Sequence, residues 1–499
     1  MFVPVAEYTP DQPDFANPGS GFVHNCLPRT AQSYGPMPSL AAYSGPLAAR
    51  CQGAFAAQDA SGNVNAFAGD ATKLYALAAG ATSWTDVSKA GGYATAADQR
   101  WSAAQFGSRI IMTNFADPIQ SFIMGSSTAF ADLAAAAPHA RYLAVVRDWV
   151  VAANTFDGVN GNQPQRVWWP AIDDPTNWPT PGTSAAAAVQ SDFQDLVGDA
   201  GWVQGIVGNL GAADGAIFQE RAIVRMNYVG PPAIFAFTTA EGARGTPAPG
   251  SIAQLGATVY YLGEDGFYAF DGSASRPIGA NKIDKTVFAD LDPSYFHRIS
   301  AAIDPVNKLC FWAYPGVGNS GGNPNRLLAY NWSLDRFTLS DLSCELILRS
   351  LSFGASLDGL DATGFTLETL PFSLDSRAWA GGRVMLSAFD TTHQLNYFTG
   401  PNLAATVDTG EAELFPGRRG LVRNLRPIVD GGVPAVALGT RDRVLDPVAF
   451  GAAVAVDALG NAPQRASARY HRARLTLPAG AAFTHISGVE IDAVAEGLR

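Results

Sequence analysis

Charge is scarce in this chain. Asp, Glu, Lys and Arg make up 15% of its 499 residues, against the roughly 25% usual in soluble domains, which excludes a charge-extended disordered chain or a coiled coil. Cysteine is scarcer: Cys26, Cys51, Cys310 and Cys344 are too few for a disulfide framework and stand at no metal-ligand spacing, so they read as buried thiols. No run approaches the ~18 apolar residues of a membrane span. The opening Met1-Phe2-Val3-Pro4-Val5 lacks the basic-then-apolar order of an export signal, so the expectation is synthesis in a cytoplasm and no membrane span. The histidines (His24, His139, His297, His393, His471 and His485) form no H-x-x-x-H or H-E-x-x-H pair, and no metal site is visible. Net positive charge is missing as well. A formal charge of −11 argues against a protein that holds nucleic acid by neutralising phosphates, and any contact with DNA is expected to be transient.

Helical periodicity is the last thing in short supply: only the alanine run at Ala185–Ala188 reads as helix. What is abundant is glycine (51) and proline (32), scattered as punctuation between short apolar runs. Those runs have strand length, as in Lys73–Leu77, Arg109–Thr113, Asp148–Ala152 and Arg166–Trp169. The clearest hairpin joins Thr258–Leu262 to Phe267–Phe270 through Gly263-Glu-Asp-Gly266, whose Asp-Gly pair suits the positive φ of a tight turn. A second joins Leu309–Tyr314 to Leu327–Trp332 and leads into Arg336–Leu339. Tryptophans recur beside turns at Trp84, Trp178, Trp332 and Trp379.

Sequential strands with a turn every eight to twelve residues predict an all-β fold, and specifically a β-propeller. At roughly 40–50 residues per blade, about six or seven blades are expected over residues 61–403. Residues 1–60, rich in proline and without period, read as an N-terminal arm, and residues 404–499 as a C-terminal β region; together these are expected to form an additional β platform.

Some short motifs look like chemistry. Gly318-Asn-Ser-Gly-Gly322 resembles a serine-nucleophile motif, and Gly316–Gly321 fits G-x-G-x-x-G, yet both sit in one hairpin loop with no helix opening at the last glycine and no histidine nearby to activate Ser320. Asp157-Gly-Val-Asn-Gly-Asn162 spaces oxygens like a calcium loop but lacks the closing Glu. Asp173-Asp174-Pro-Thr-Asn-Trp178 resembles the Asp-box turn of sialidase propellers, an architectural device. His24, Cys26 and Cys51 supply three potential zinc ligands without a fourth. The expectation is a protein without catalytic residues, cofactor or metal, and not an enzyme.

From Arg418 to Arg474 the chain concentrates arginine and excludes lysine. The planar guanidinium pairs bidentately with carboxylates, which suits contacts between subunits. Arg418, Arg419, Arg423, Arg426, Arg469, Arg472 and Arg474 are therefore the candidate subunit interface, within a tract that also holds Arg441, Arg443 and Arg465. A solvated face is the alternative, and phosphate binding a third reading.

The order Arg100-Trp101-Ser-Ala-Ala-Gln105-Phe106-Gly107, Thr113-Asn114, Asp117-Pro-Ile-Gln120, Arg147-Asp148-Trp149, Arg166-Val-Trp-Trp-Pro-Ala-Ile-Asp173 and Trp178 is similar to the opening propeller strands of tail-tip proteins of short-tailed bacteriophages. Met226-Asn-Tyr228-Val-Gly230-Pro, Tyr261-Leu-Gly-Glu-Asp-Gly266, Asp271-Gly272, Pro277-Ile-Gly279 and Ile303-Asp-Pro305 continue it, over residues 70 to 340. The resemblance implies a structural virion protein of the tail hub or nozzle. It would form a homohexameric ring below the portal and adaptor rings, conduct double-stranded DNA during ejection and anchor fibres or spikes. The six-fold count comes from the resemblance alone. The competing reading is a carbohydrate-binding or glycan-cleaving propeller. Cleavage would need two carboxylates facing one pocket, whereas Asp and Glu here cluster in turns.

Overall fold

The computed structural model describes residues 1–499 except 15, 16, 18, 212, 353–381 and 497–499. The protein is all-β: 49% of it is strand and 5% helix. The alanine run does form a helix, Ser184–Ala188, started by the Thr183 hydroxyl, which accepts a hydrogen bond from the Ala186 N–H. A second helix, Asp284–Asp290, went unanticipated. It buries only Asp284 and Val287, too few positions to write a helical period into the sequence.

Seven four-stranded antiparallel units follow one another along the described chain. Their first strands are Gly53–Gln58, Ser102–Phe106, His139–Val146, Val203–Gly208, Ala253–Leu255, Ser300–Asp304 and Leu346–Leu351. The expected hairpins fall inside them, with Thr258–Leu262 paired to Phe267–Phe270 and Leu309–Tyr314 to Arg326–Asn331. Tight turns between strands are built on aspartates. Asp157 accepts from the N–H groups of Val159 and Asn160, Asp271 from Ser273 and Ala274, Asp304 from Val306 and Asn307, and Asp390 from Thr392 and Gln394. An aspartate in this position supplies the acceptors that the turn's own backbone lacks.

Each sheet is buried on both faces, which is why its strands read as continuous apolar runs rather than alternating ones. In Leu309–Tyr314, Cys310, Trp312 and Tyr314 point into the core shared with the fifth sheet. Leu309, Phe311 and Ala313 point into the core shared with the seventh. The same division recurs at every step. Separate cores lie between the first and second sheets around Phe67 and Phe122, the second and third around Ile111 and Trp168, the third and fourth around Trp149 and Phe235, and the fourth and fifth around Phe218 and Tyr261. One more, around Tyr75, Leu346 and Tyr397, joins the seventh sheet to the first. Close approach of the backbones needs glycine: a Cβ on Gly208 would collide with the carbonyl oxygen of Val145 in the neighbouring first strand.

The seventh sheet takes its fourth strand from far upstream, with Ala41–Pro46 pairing with Gln394–Tyr397. Residues 41–58, ahead of the boundary expected at residue 60, thus belong to the succession of sheets. The chain ends share two further sheets. Phe2–Pro4, Cys26–Thr30 and Ser33–Pro36 join Gly420–Asp430, Ala462–Ala468 and His485–Ala495 in one of six strands. In the other, Val23–His24 lies between the sixth sheet and Ala405–Asp408, and so continues that sheet into Tyr470–Leu477 and Ala435–Arg441. Trp379 lies outside the described residues.

Candidate functional site

The arginines of the C-terminal tract divide into two groups. Arg474 forms a bidentate pair with Asp408 (2.7 and 2.9 Å) and lies between the rings of Phe22 and Phe450. Arg472 reaches Asp14 in the N-terminal segment at 2.9 Å, and Arg441 pairs bidentately with Glu411 at 2.7 and 2.6 Å with both side chains 5% exposed. Arg469 meets Glu413 at 3.0 Å, and Arg419 meets Asp442 and the Ser467 carbonyl. These contacts lie within the chain, and those of Arg472 with Asp14 and of Arg474 with Phe22 tie its two ends together. The strand Gly420–Asp430 turns Arg423 and Arg426 to solvent because Val422 and Leu425 occupy its inward positions. Arg426 makes an exposed contact with Glu490 at 3.4 Å. Arg418 and Arg423 are exposed and, among the described residues, have no side-chain partner.

The chemistry-like motifs resolve into turns. Ser320 is exposed in the loop between Leu309–Tyr314 and Arg326–Asn331, where Asn319 braces the loop by donating to Asp292 and the Gly316 carbonyl. No histidine or carboxylate hydrogen-bonds Ser320 among the described residues. Asp157, the would-be calcium ligand, is engaged by its own turn and by Arg166. Asp174 accepts from Thr176, and Trp178 donates to the Pro175 carbonyl while packing edge-on against Trp168. Cys26 and Cys51 lie in two different cores, and burial pushes both thiols far above their usual range. The two thiols are therefore not brought together as ligands of one site.

A recess that sequence reasoning missed opens near the N-terminal ends of the first strands. It is a cavity of 240 Å³ walled by residues from the second, third, fifth and sixth sheets and the loops leading into them, among them Arg100, Ser102, Phe115, Arg141, Tyr142 and His297. Arg100 crosses it to donate to the Ile299 carbonyl at 2.6 Å. Gly250 makes room, since a Cβ there would overlap the guanidinium. Arg141 stacks on Phe115 at 4.2 Å. Nearby, Arg50 donates to the Ala97 carbonyl and Arg298 to that of Gly321. Burial lowers the His297 pKa, and the charges of Arg298, Arg50 and Arg100 lower it further against the opposing pull of Asp98. Burial, then Arg298, brings Arg50 down to about 10. These cations are scattered over some two hundred and fifty residues of sequence, so only the packing of the sheets assembles them.

Comparison of the sequence with protein-family models finds no match, and comparison with curated proteins finds none.

Proposed function

We propose that the chain is a seven-bladed β-propeller mounted on a β platform and serves as a structural subunit of a bacteriophage tail hub or nozzle. It assembles into a six-fold ring in the virion tail, beneath the portal and adaptor rings, passes double-stranded DNA at ejection and holds fibres or spikes. The continuity of propeller and platform is the observation that supports this reading most. Val23–His24 pairs with a strand of the sixth sheet on one side and a C-terminal strand on the other, so load on the outer sheets reaches the platform through hydrogen-bonded backbone.

The residues that carry the resemblance to phage tail-tip proteins have architectural work. Trp101 donates to the Asp70 carbonyl, Asp117 receives the Ala94 N–H and the Asn114 amide, and Asp271 closes a turn. None of them is spent on a reacting group. A ring needs two different complementary surfaces on each subunit. With Arg472 and Arg474 paired inside the chain, Arg418 and Arg423 are the candidate interface arginines that are exposed and have no side-chain partner among the described residues, and they are the ones proposed to meet a neighbour's acidic loops. The net charge of −11 around a closed lumen would repel phosphate and let DNA slide.

Sedimentation of the purified chain tests the reading: a ring of about six subunits is expected, and Arg418→Glu with Arg423→Glu should give a folded monomer. A wild-type chain that stays monomeric at tens of micromolar would remove the ring. A carbohydrate-binding propeller is the second reading, and the cavity around Arg100, Arg141 and His297 is the observation in its favour.

A further inference from the structure

Arg100 and Arg141 line the cavity, Arg50 and Arg298 stand close enough for their charges to be felt at its edge, and none of the four has a counter-ion among the described residues. No carboxylate lies within ion-pair distance of Arg50, Arg100, Arg141 or Arg298 among the described residues, and three of these four hydrogen-bond only to backbone carbonyls. The Arg141 side chain makes no hydrogen bond among the described residues; its guanidinium lies over the Phe115 ring at 4.2 Å. The Arg298 Nη1 is buried without a partner. Two carboxylates are near enough to be felt. Asp98 stands exposed at the rim, and Glu345 is already taken by the Cys51 N–H at 2.8 Å and by His393 Nδ1 at 2.6 Å. In a chain with eleven more acidic than basic residues, such a local excess of positive charge is a deliberate feature.

Guanidiniums set side by side repel one another, and the arrangement gains most when an anion fills the space between them. A planar fork of N–H donors matches the paired oxygens of a carboxylate or phosphate. The walls supply other donors. The Ser102 hydroxyl accepts from the Leu143 N–H, which leaves its own O–H to donate. Phe115 and Tyr142 offer apolar surface for a ring, while Tyr142 spends its hydroxyl on Gln204.

We infer that this cavity binds an anionic sugar of monosaccharide size, its carboxylate or phosphate oxygens held by Arg141 and Arg100 and its ring laid against Phe115. The inference stands whether or not the chain forms a ring.

Isothermal titration of the full-length chain with glucuronate, glucose 6-phosphate, inorganic phosphate and neutral glucose tests it. Saturable binding of glucuronate or of glucose 6-phosphate is expected, at least about tenfold tighter than glucose; whichever sugar binds identifies the oxyanion. Arg141→Ala should cost about tenfold or more, Arg141→Lys less because it keeps the charge without the fork, and Arg423→Ala on the far strand nothing. A thermal melt of each variant separates lost binding from lost fold, since the Arg141 guanidinium has no ion pair or hydrogen bond to lose among the described residues. No binding at millimolar sugar, equal binding by the folded Arg141→Ala protein, or binding of inorganic phosphate alone would each overturn the proposal.

Discussion

Arginine does opposite work in two parts of this molecule. In the region shared by the chain ends, Arg441, Arg472 and Arg474 each meet a carboxylate, and the pairs join segments as distant as residues 14 and 472. In and beside the cavity among the sheets, Arg50, Arg100 and Arg298 hydrogen-bond only to backbone carbonyls among the described residues, and Arg141 lies over a ring. A paired guanidinium is satisfied by the fold and has little left for a ligand. One without a counter-ion keeps both its charge and its donors. Residue type and local density in sequence draw attention to the dense tract, which is largely self-neutralised, whereas the dispersed set, which is not, gives no local signal.

The sharpest way to break this comparison is to unpair a satisfied arginine. Glu411→Ala leaves Arg441 buried without its bidentate partner, hydrogen-bonded to the carbonyls of Val444 and Asp446 and with Asp14 as a more distant negative charge. Breaking a buried pair from one side costs about 3–5 kcal/mol. Denaturant unfolding should show that loss, and the double replacement Arg441→Met with Glu411→Leu should recover most of it. A Glu411→Ala protein as stable as wild type would mean that this buried pair does not help to hold the C-terminal region folded.

A smaller effect comes from the mirror case, a carboxylate without a cation. Asp284 is buried, accepts from the Phe267 N–H at 3.2 Å and has no ion-pair partner among the described residues. Burial raises its pKa to about 6, with Asp11 and Asp265 adding repulsion against the help of the Phe267 N–H. A raised carboxyl pKa means the folded state holds its proton more tightly than the unfolded one. Its stabilising contribution is complete below pH 4 and is lost as the pH rises through 6. Asp284→Asn, which keeps an acceptor for Phe267, should thus leave stability unchanged at pH 4 and raise it by about 1–2 kcal/mol at pH 7. Melting curves at the two pH values check the sign. A gain at pH 4 equal to that at pH 7 would remove ionisation as its cause.

The class of the fold was legible in the sequence because turns announce themselves. Asp157, Asp271 and Asp304 stand where a hairpin needs an acceptor, and runs such as Leu309–Tyr314 are apolar throughout because both faces are covered. What could not be read were pairings made over distance. Nothing in Ala41–Pro46 marks it as the edge of a sheet whose other strands begin three hundred residues later. The register is written in tertiary packing of Tyr43 against Tyr397 and not in local pattern. The cavity was invisible for the same reason, since Arg100, Arg141 and His297 become neighbours only when the second, third and sixth sheets take their places. The arginine tract was visible, but its partners Asp14, Asp408 and Glu411 were not, so its intrachain role could not be separated from an interface.

The smallest expected effect is the one that sharpens the proposal about assembly. Arg426 meets Glu490 across neighbouring strands at 3.4 Å with both side chains about half exposed (58% and 48%). Pairs of this kind contribute roughly 0–1 kcal/mol, because water already solvates both charges and salt screens what remains. Arg426→Ala should shift the unfolding midpoint of the isolated chain by an amount near the limit of measurement. In an assembled ring the same position would be covered, and the solvent that makes the pair weak would be gone. Comparing the variant's monomer stability with its sedimentation profile therefore distinguishes two roles for one residue. Unchanged stability with weakened assembly places Arg426 at a subunit contact alongside Arg418 and Arg423. Unchanged stability with normal assembly assigns it to the solvated face, and confines the interface to arginines that have no partner within the chain.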